Sequence, residues 1–157
     1  MRIGQGIDAH ALVAGRPLVL GGVTIEHDQG LEGHSDGDVL LHAVASALLG
    51  AMGEGDLGRH FPSSDPGLEG IASGRILERV RDLVMERGFR IGNVDATIIA
   101  QAPRLGPHLE ALCASLADLL QTDARRINVK VTSTDQLGAI GRGEGMAAQA
   151  VVLLEET

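Results

Sequence analysis

The chain has 157 residues, of which 44% are apolar and 22% are charged, so its composition is that of one globular domain spanning residues 1–157. Its net charge of −8 repels nucleic acid and anionic membrane, and neither is an expected partner. One cysteine excludes an internal disulfide, and no apolar run is long enough to span a bilayer, which predicts a soluble cytoplasmic protein.

The first half of the chain predicts, in order, a strand at 1–8, a hairpin at 17–25, a polar loop at 26–34, a helix from about Ser35 or Asp36 to Met52, and a long loop at 53–70. The hairpin follows from Gly21-Gly22, which separates two aliphatic runs. Gly53 stops the helix. Long loops without regular structure are often functional.

The second half predicts a helix at 71–87, a strand at 89–100, a helix at 105–120, a strand at 127–133, a Gly-rich loop at 138–145 and a strand at 146–154. This order indicates an α+β fold in which a mixed β-sheet carries helices on one face. The other face of such a sheet needs a cover, which favours oligomerisation.

A possible zinc site is formed by Asp8, His10 and His42. Residues two apart on a strand point to the same side, so Asp8 and His10 converge. His42 supplies a third ligand from the first helix, and three protein ligands leave zinc an open position for catalysis. Spacing alone favours the simpler alternative, in which the Asp-x-His pair is a coincidence and His42 is a half-buried structural histidine.

Three further segments are candidates for binding phosphate. His34 and Ser35 precede the first helix, whose free N–H groups attract anions, although capping alone explains part of this segment. The run 132–135 at a strand end carries three hydroxyls and a carboxylate, and the run 141–145 alternates glycines in a way that suits an anion nest. An exposed strand end and a simple turn are the alternatives for these two runs.

Taken together, these segments resemble the 2-C-methyl-D-erythritol 2,4-cyclodiphosphate synthase family over almost the whole chain. The most specific segment is Gly33-His34-Ser35-Asp36-Gly37-Asp38 followed by His42. The other matching segments, in chain order, are Arg2-Ile3-Gly4-x-Gly6-x-Asp8-x-His10, Gly55-Asp56-x-Gly58, Gly92-Asn93-Val94-Asp95, Ala100-Gln101-Ala102-Pro103-Arg104 and Gly141-Arg142-Gly143-Glu144-Gly145, where x is any residue.

The resemblance implies a reaction of the non-mevalonate isoprenoid pathway. The 2-phosphate of 4-diphosphocytidyl-2-C-methyl-D-erythritol 2-phosphate attacks the β-phosphorus of the diphosphate, CMP leaves, and a cyclic diphosphate forms. It also implies a homotrimer with active sites at the subunit interfaces.

The resemblance further implies a role for individual residues. It implies that Asp8, His10 and His42 bind zinc and that Asp135 binds a second metal, magnesium or manganese. It also implies that His34 and Ser133 are catalytic. The residues implied to bind the cytidylyl substrate are Ser35, Asp56, Leu57, Gly58, Phe61, Asp65, Ala100, Pro103, Leu105, Gly106, Thr132, Thr134, Asp135 and Arg142. Within this set, 100–106 forms the cytidine pocket, 132–135 binds the diphosphate, and Arg142 lies near the trimer axis.

Five positions depart from the family pattern. Ser46 stands where Asp or Asn is usual, Ser63 where Asp is common, and Ser133 where Thr is usual. Asp135 stands where Glu is usual and Ala139 where Phe is common. Ser46 matters for the metal site because residues four apart meet on a helix, so it removes a possible partner of His42. Two alternative functions remain: a metal-dependent phosphohydrolase that activates water, and a trimeric binding protein without catalysis.

Overall fold

A mixed sheet of five strands organises the computed structural model, which describes residues 1–157. The strands of this sheet and of a separate hairpin are β1 (Arg2–Ala14), β2 (Leu18–Leu20), β3 (Val23–Ile25), β4 (Gln29–Leu31), β5 (Phe89–Ile99), β6 (Ile127–Thr132) and β7 (Gly145–Glu156). The helices are α1 (Val39–Met52), α2 (Leu57–His60), α3 (Ser73–Glu86), α4 (Leu109–Leu120) and α5 (Gly138–Gly141). None of these helices has both the length and the apolar character that crossing a membrane requires.

The strand order in the sheet is β4-β1-β7-β5-β6. β1 runs antiparallel to β4 and β7, and β7 runs antiparallel to β5, whereas β5 and β6 run parallel. This arrangement confirms the predicted α+β class with a mixed sheet. Because β5 and β6 run parallel and pair Ile99 with Thr132, the segments that follow the two strands emerge at the same edge.

Two glycines of β1 allow α1 to lie directly against the sheet. A Cβ added at Gly4 or Gly6 would lie 1.9 Å or 2.1 Å from a backbone carbonyl oxygen of α1, distances that no side chain can occupy. Gly4, Gly6 and Asp8 point to the same face because they alternate along the strand. The next turn of α1 therefore places His42 over Asp8.

The sheet has one face covered by helices and one open face. Residues that point toward the helices, such as Ala96 and Ile98 of β5, are fully buried. On the opposite face, the side chains of Ile3, Ile7 and Val151 are 73%, 65% and 43% exposed. Three large apolar side chains on two paired strands make this face suited to contact with another protein surface.

The helix predicted to begin at Ser35 or Asp36 begins at Val39, because Asp38 is its N-cap. The Asp38 carboxylate accepts hydrogen bonds from the backbone N–H groups of Leu41 and of the β2–β3 turn, at 2.8–3.1 Å. Burial raises the pKa of Asp38 to about 6, although these three amides favour the charged form. The carboxylate thus ties the hairpin to the start of α1.

Three expected loops contain short regular elements. Residues 26–34 include β4, which pairs with the end of β1 and so extends the sheet. Residues 53–70 contain α2 and a 3-10 turn at Pro66–Leu68, and residues 138–145 contain α5. Elements of three or four residues have too few positions to show a hydrophobic period, so the sequence pattern does not reveal them.

Candidate functional site

Asp8, His10 and His42, together termed the metal cluster, meet at one point between the sheet and α1. Asp8 Oδ2 lies 2.8 Å from His10 Nε2 and 2.9 Å from His42 Nδ1. One ligand atom from each residue lies within 4.8 Å of the other two, and all three residues line the same cavity. The structure therefore brings together the three residues predicted to bind zinc, with their free side toward the cavity.

The surroundings of His10 determine which of its nitrogens faces the metal cluster. Its Nδ1 contacts the carbonyl oxygen of Glu32, which can only accept, so Nδ1 carries the proton. Nε2 then directs its lone pair at the Asp8 carboxylate, and these two groups repel each other unless a proton or a metal ion lies between them. This donor set fits a divalent cation, because the position already requires positive charge.

The electrostatics of the metal cluster agree with that requirement. The hydrogen bond with Asp8 raises the pKa of His10, against an opposing effect of burial. Burial by itself would raise the pKa of Asp8, but hydrogen bonds with His10 and His42 outweigh it and lower that pKa to about 2. Asp8 is consequently an anionic ligand throughout the physiological pH range.

Two serine hydroxyls contact the other nitrogen of His42. Nε2 lies 2.8 Å from Oγ of Ser73, the first residue of α3, and 3.2 Å from Oγ of Ser35. The sequence suggested Ser46, one turn along α1, as the place for such a partner and missed Ser73. Since Ser73 is 31 residues from His42 and contacts it only because α3 packs against α1, no local pattern reveals it.

A cavity of about 250 Å³ lies over the metal cluster. Five residues predicted to act on the substrate line it: His34, Ser35, Leu57, Gly58 and Phe61. The structure adds four residues that had no assigned role: Ser63, Leu68, Ile71 and Ile76. Most of the added residues are apolar and lie in or next to the expected loop, where single apolar residues carry no periodic signal.

Arg16 fixes the segment that carries His34. Its guanidinium donates hydrogen bonds to the carbonyl oxygens of Gly33, at 3.0 Å, and of Ser35, at 2.7 Å. These two bonds flank His34 and hold it beside the cavity. Arg16 lies in the turn between β1 and β2, and an isolated arginine in a turn gave no sequence signal for this role.

Asp56 and Asp65 cap the two short helical turns next to the cavity. The Asp56 carboxylate accepts from the backbone N–H of Arg59, and the Asp65 carboxylate accepts from that of Gly67, both at 2.9 Å. Both residues are exposed, and neither lines the cavity. Their substrate-binding roles stay predictions.

The remaining predicted residues lie mostly where β5 and β6 end, in residues 100–106 and 132–135, together termed the strand-end cluster. The two segments start side by side, because the backbone N–H of Ala100 donates to the carbonyl oxygen of Thr132 at 3.0 Å. Ala100 and Leu105 are buried, whereas Thr132 and Ser133 are exposed. The Thr132 hydroxyl donates to the carbonyl oxygen of Ser133 at 3.2 Å.

The turn at 133–135 is held by its own side chains. The Ser133 hydroxyl donates to the Asp135 carboxylate at 3.3 Å and accepts from the Asp135 N–H at 3.2 Å. The Thr134 hydroxyl donates to the carbonyl oxygen of Leu137 at 2.8 Å. Asp135 has a φ of 51°, a left-handed conformation that Asp and Asn tolerate better than most residues. A local structural role for Asp135 is therefore present, and its metal role stays a prediction.

The strand-end cluster does not meet the metal cluster within one chain. Asp8 pairs with Ala148, Ala148 with Ile98, and Ile98 with Val131, so Thr132 lies three strands away from β1. At about 4.8 Å per strand, this separation is roughly 14 Å. Thr132 points to the open face of the sheet, whereas the metal cluster lies on the face that the helices cover.

Arg142 lies apart from both clusters, in the turn between α5 and β7. Its side chain is 60% exposed and pairs with Glu144, with Nε to Oε1 at 2.8 Å. This ion pair raises the pKa of Arg142 and lowers that of Glu144. Its predicted place near a trimer axis is not tested within a single chain.

A wider hollow of about 410 Å³ opens between α3 and the start of β5, lined in part by Phe89, Leu120 and Arg126. The Arg126 guanidinium donates to the carbonyl oxygens of Ile91 and Gly92, so it is occupied by the fold itself. The hollow contains no group of metal-binding side chains. The smaller cavity over the metal cluster is therefore the better candidate for chemistry.

Comparison with known proteins shows the family to which the chain belongs. The model of the YgbB family matches residues 1–155 of the chain. The 2-C-methyl-D-erythritol 2,4-cyclodiphosphate synthase of Geotalea daltonii is 56% identical over 155 residues, which make up 99% of this chain and 91% of that protein.

Two solved structures have the same fold. The bifunctional IspDF from Campylobacter jejuni superposes with a TM-score of 0.96 at 42% identity, and the match covers 99% of this chain and 42% of that longer chain. A 2C-methyl-D-erythritol-2,4-cyclodiphosphate synthase in its CDP-bound form superposes with a TM-score of 0.91 at 40% identity, over 98% of this chain and 100% of that one.

Proposed function

The chain belongs to the YgbB family, with curated relatives named 2-C-methyl-D-erythritol 2,4-cyclodiphosphate synthase, and from that membership we propose how its own residues carry out the cyclisation. The reaction is intramolecular. A 2-phosphate oxygen of 4-diphosphocytidyl-2-C-methyl-D-erythritol 2-phosphate bonds to the β-phosphorus, the bond from that phosphorus to the bridging oxygen breaks, and CMP leaves with that oxygen. Such a transfer needs positioning and charge stabilisation rather than a side-chain nucleophile.

The observation that carries the proposal is the convergence of Asp8, His10 and His42 on a cavity beside His34. We infer that these three residues hold zinc, because one carboxylate and two imidazoles with an open side form a donor set that catalytic zinc uses. A bound divalent ion supplies positive charge that offsets the repulsion between the phosphate groups.

The residues around the metal cluster position the reacting groups. His34, held between the two carbonyl groups that Arg16 fixes, and Ser35 donate hydrogen bonds to phosphate oxygens. Leu57 and Phe61, with the apolar wall at Leu68, Ile71 and Ile76, exclude water from the cavity. Asp56 and Gly58 hold the erythritol hydroxyls, and Asp65 completes this side of the site.

The strand-end cluster binds the other half of the substrate. Ala100, Pro103, Leu105 and Gly106 form the cytidine pocket; that a related synthase has a CDP-bound structure supports a cytidine nucleotide as the ligand. The hydroxyls of Thr132, Ser133 and Thr134 contact the diphosphate, with Ser133 acting in catalysis, and Asp135 holds a magnesium or manganese ion. The site lies at the carboxyl ends of parallel strands, where α/β sheets commonly bind ligands.

We infer that the protein is a homotrimer in which neighbouring subunits complete each site. The two clusters lie three strands apart and on opposite faces of the sheet, so one chain cannot present both to one substrate. The exposed Ile3, Ile7 and Val151 give the open face an apolar surface that a second copy can cover. Arg142 lies near the trimer axis in this arrangement, and the cytoplasmic location stays a prediction.

Incubation with the cytidylyl substrate and magnesium, followed by phosphorus NMR, tests the function. The expected products are the cyclic diphosphate and CMP, in amounts abolished by prior removal of metal with a chelator. An open-chain phosphate would identify a metal-dependent phosphohydrolase instead. Substrate that binds but is not converted would identify a binding protein.

A further inference from the structure

The hydrogen bonds around Ser73 connect a carboxylate outside the metal cluster to His42. Ser73 is fully buried, and its Oγ contacts Asp36 Oδ1 and lies 2.8 Å from His42 Nε2. The backbone N–H of Ser73 also donates to Asp36 Oδ2 at 3.2 Å. Both oxygens of the Asp36 carboxylate therefore hold the first residue of α3, at the point where it touches the imidazole.

The direction of these hydrogen bonds follows from what each group can donate. A carboxylate accepts only, so the Ser73 hydroxyl donates its proton to Asp36. The Ser73 oxygen is then free to accept from His42, which requires the proton of the imidazole to be on Nε2. Nδ1, 2.9 Å from Asp8 Oδ2, is left with its lone pair facing the centre of the metal cluster.

We propose that Asp36 and Ser73 are positioning residues that hold His42 in the tautomer and orientation needed to bind the metal. This inference rests on the proposed metal role of His42. Histidine ligands of metals commonly donate their second N–H to such a partner, which raises their basicity and fixes the ring. Ser35 Oγ lies 3.2 Å from the same nitrogen and 3.2 Å from Ser73 Oγ, so it adds a second hydroxyl beside the imidazole.

A purely structural role for Asp36 is the competing explanation. Ala72, the N-cap of α3, makes no side-chain capping bond, so Asp36 substitutes for a cap by accepting the N–H of Ser73. Ser73→Ala separates the two roles. It leaves that backbone bond in place, it suits a helix, and it removes only the hydroxyl that links Asp36 to His42.

The test measures the zinc affinity of metal-stripped protein by competition with a coloured chelator. Ser73→Ala and Asp36→Asn are each expected to weaken zinc binding by about 10- to 100-fold. If the two residues act through one chain of hydrogen bonds, the double variant should bind zinc no more weakly than the single variant with the lower zinc affinity. Ser115→Ala is the matched control, because its hydroxyl bonds to the carbonyl oxygen of Gly21, outside the metal cluster, and its zinc affinity should be unchanged.

Nitrogen-15 NMR of the zinc-loaded protein supplies a second readout, in which the wild-type His42 proton should be found on Nε2. Zinc affinity in Ser73→Ala within about twofold of wild type would overturn the inference, since loss of the group that accepts the second N–H of a metal-binding histidine lowers metal affinity by more than that. Additive losses in Asp36→Asn and Ser73→Ala would also overturn it. Failure of the wild-type chain to bind zinc would instead overturn the proposed function.

Discussion

The metal cluster and the strand-end cluster are built in different ways, although both are expected to act on one substrate. The metal cluster lies between a strand and a helix, and each imidazole has a partner for its second nitrogen. The strand-end cluster lies on exposed turns after β5 and β6, where most side-chain hydrogen bonds stay within the turn. One is assembled by the packing of distant segments of a single chain, whereas the other presents hydroxyls that bond within their own turn.

This difference suggests how the work is divided between subunits. A metal site needs ligands fixed to within a few tenths of an ångström, which packing inside one chain provides. A nucleotide pocket tolerates adjustable turns, because the ligand itself orders them. In the proposed trimer, each subunit contributes the metal cluster as a metal half and the strand-end cluster as a nucleotide half, and each active site joins the two halves from neighbouring copies.

Removal of one metal ligand should have the largest effect. His42→Ala is expected to lose the metal and to lower activity by about a thousandfold or more, because a metal contributes several kcal/mol to such a reaction. The metal content follows from elemental analysis, and the fold from circular dichroism. His27→Ala is the control, since His27 contacts Asp28 outside the metal cluster and should keep full metal content. Full activity in metal-free His42→Ala would sink the assignment.

Mixing two inactive variants tests the division between subunits. His42→Ala disables the metal half and Ser133→Ala the nucleotide half, so each homotrimer should be inactive. A site is intact when its metal half comes from a Ser133→Ala subunit and its nucleotide half from a His42→Ala subunit. With random assembly of equal amounts, about one quarter of the sites meet this condition. Activity of the mixture, measured after reversible dissociation, should rise to that level.

The control for this experiment mixes His42→Ala with His34→Ala. Both residues line the same cavity of one chain, so no combination of subunits yields an intact site. Equal recovery in the two mixtures would contradict the composite site. So would light scattering that shows only monomer at working concentrations.

Much of the fold could be predicted from the sequence, because the long elements carry clear patterns. The apolar residues of α1, the glycine at its end and the apolar run of β7 all mark elements at nearly their observed positions. The start of α1 was predicted three or four residues too early, and the reason lies in tertiary structure. Asp38 is the N-cap because its carboxylate also accepts hydrogen bonds from the β2–β3 turn. β4 was missed because three residues show no period.

The site could be predicted only where its residues share a local motif. Asp8 and His10 are two apart on one strand, and His34, Ser35 and His42 lie within nine residues; spacing alone left their roles open, and the resemblance of these motifs to one family assigned them. Ser73 and Arg16 were missed because their roles depend on packing between elements distant in sequence. The separation of the two clusters could not be predicted, because it depends on the order of the strands in the sheet, and no sequence motif reveals that order.

Acid should weaken the binding of zinc by the metal cluster. The pKa of His10 is raised by its hydrogen bond with Asp8, so zinc must displace a proton from His10 at a pH below that raised value. Zinc affinity should therefore fall about tenfold or more per pH unit on the acid side and level off on the alkaline side. Asp8, with a pKa of about 2, contributes nothing to this window.

Chelator competition between about pH 5.5 and about pH 8.5 measures this dependence, and proton release into a weak buffer checks its sign. Zinc binding should release protons on the acid side of the range. An affinity that stays constant from pH 5.5 to 7 would show that His10 binds no proton that the metal must displace.

The smallest predicted effect concerns Asp135 in the strand-end cluster. Asp135→Asn should keep the turn, because Asn also tolerates a φ of 51° and retains an oxygen that accepts from the Ser133 hydroxyl. What it removes is the negative charge. If Asp135 holds the second metal, the magnesium concentration needed for half-maximal activity should rise several-fold, while zinc content stays the same.

Asp135→Glu extends the same comparison, because it keeps the charge and adds one methylene. Glu is usual at this position in the resembling family, so the variant should keep a magnesium requirement close to that of the wild type. Magnesium retains several of its waters, and a water can fill the gap that the shorter Asp leaves. If Asp135 only stabilises the turn, Asn should leave the magnesium requirement unchanged and Glu should be the more harmful substitution, since it is less suited to the left-handed conformation. The order of the two variants in a magnesium titration therefore decides whether the strand-end cluster contains a metal ligand or a turn residue.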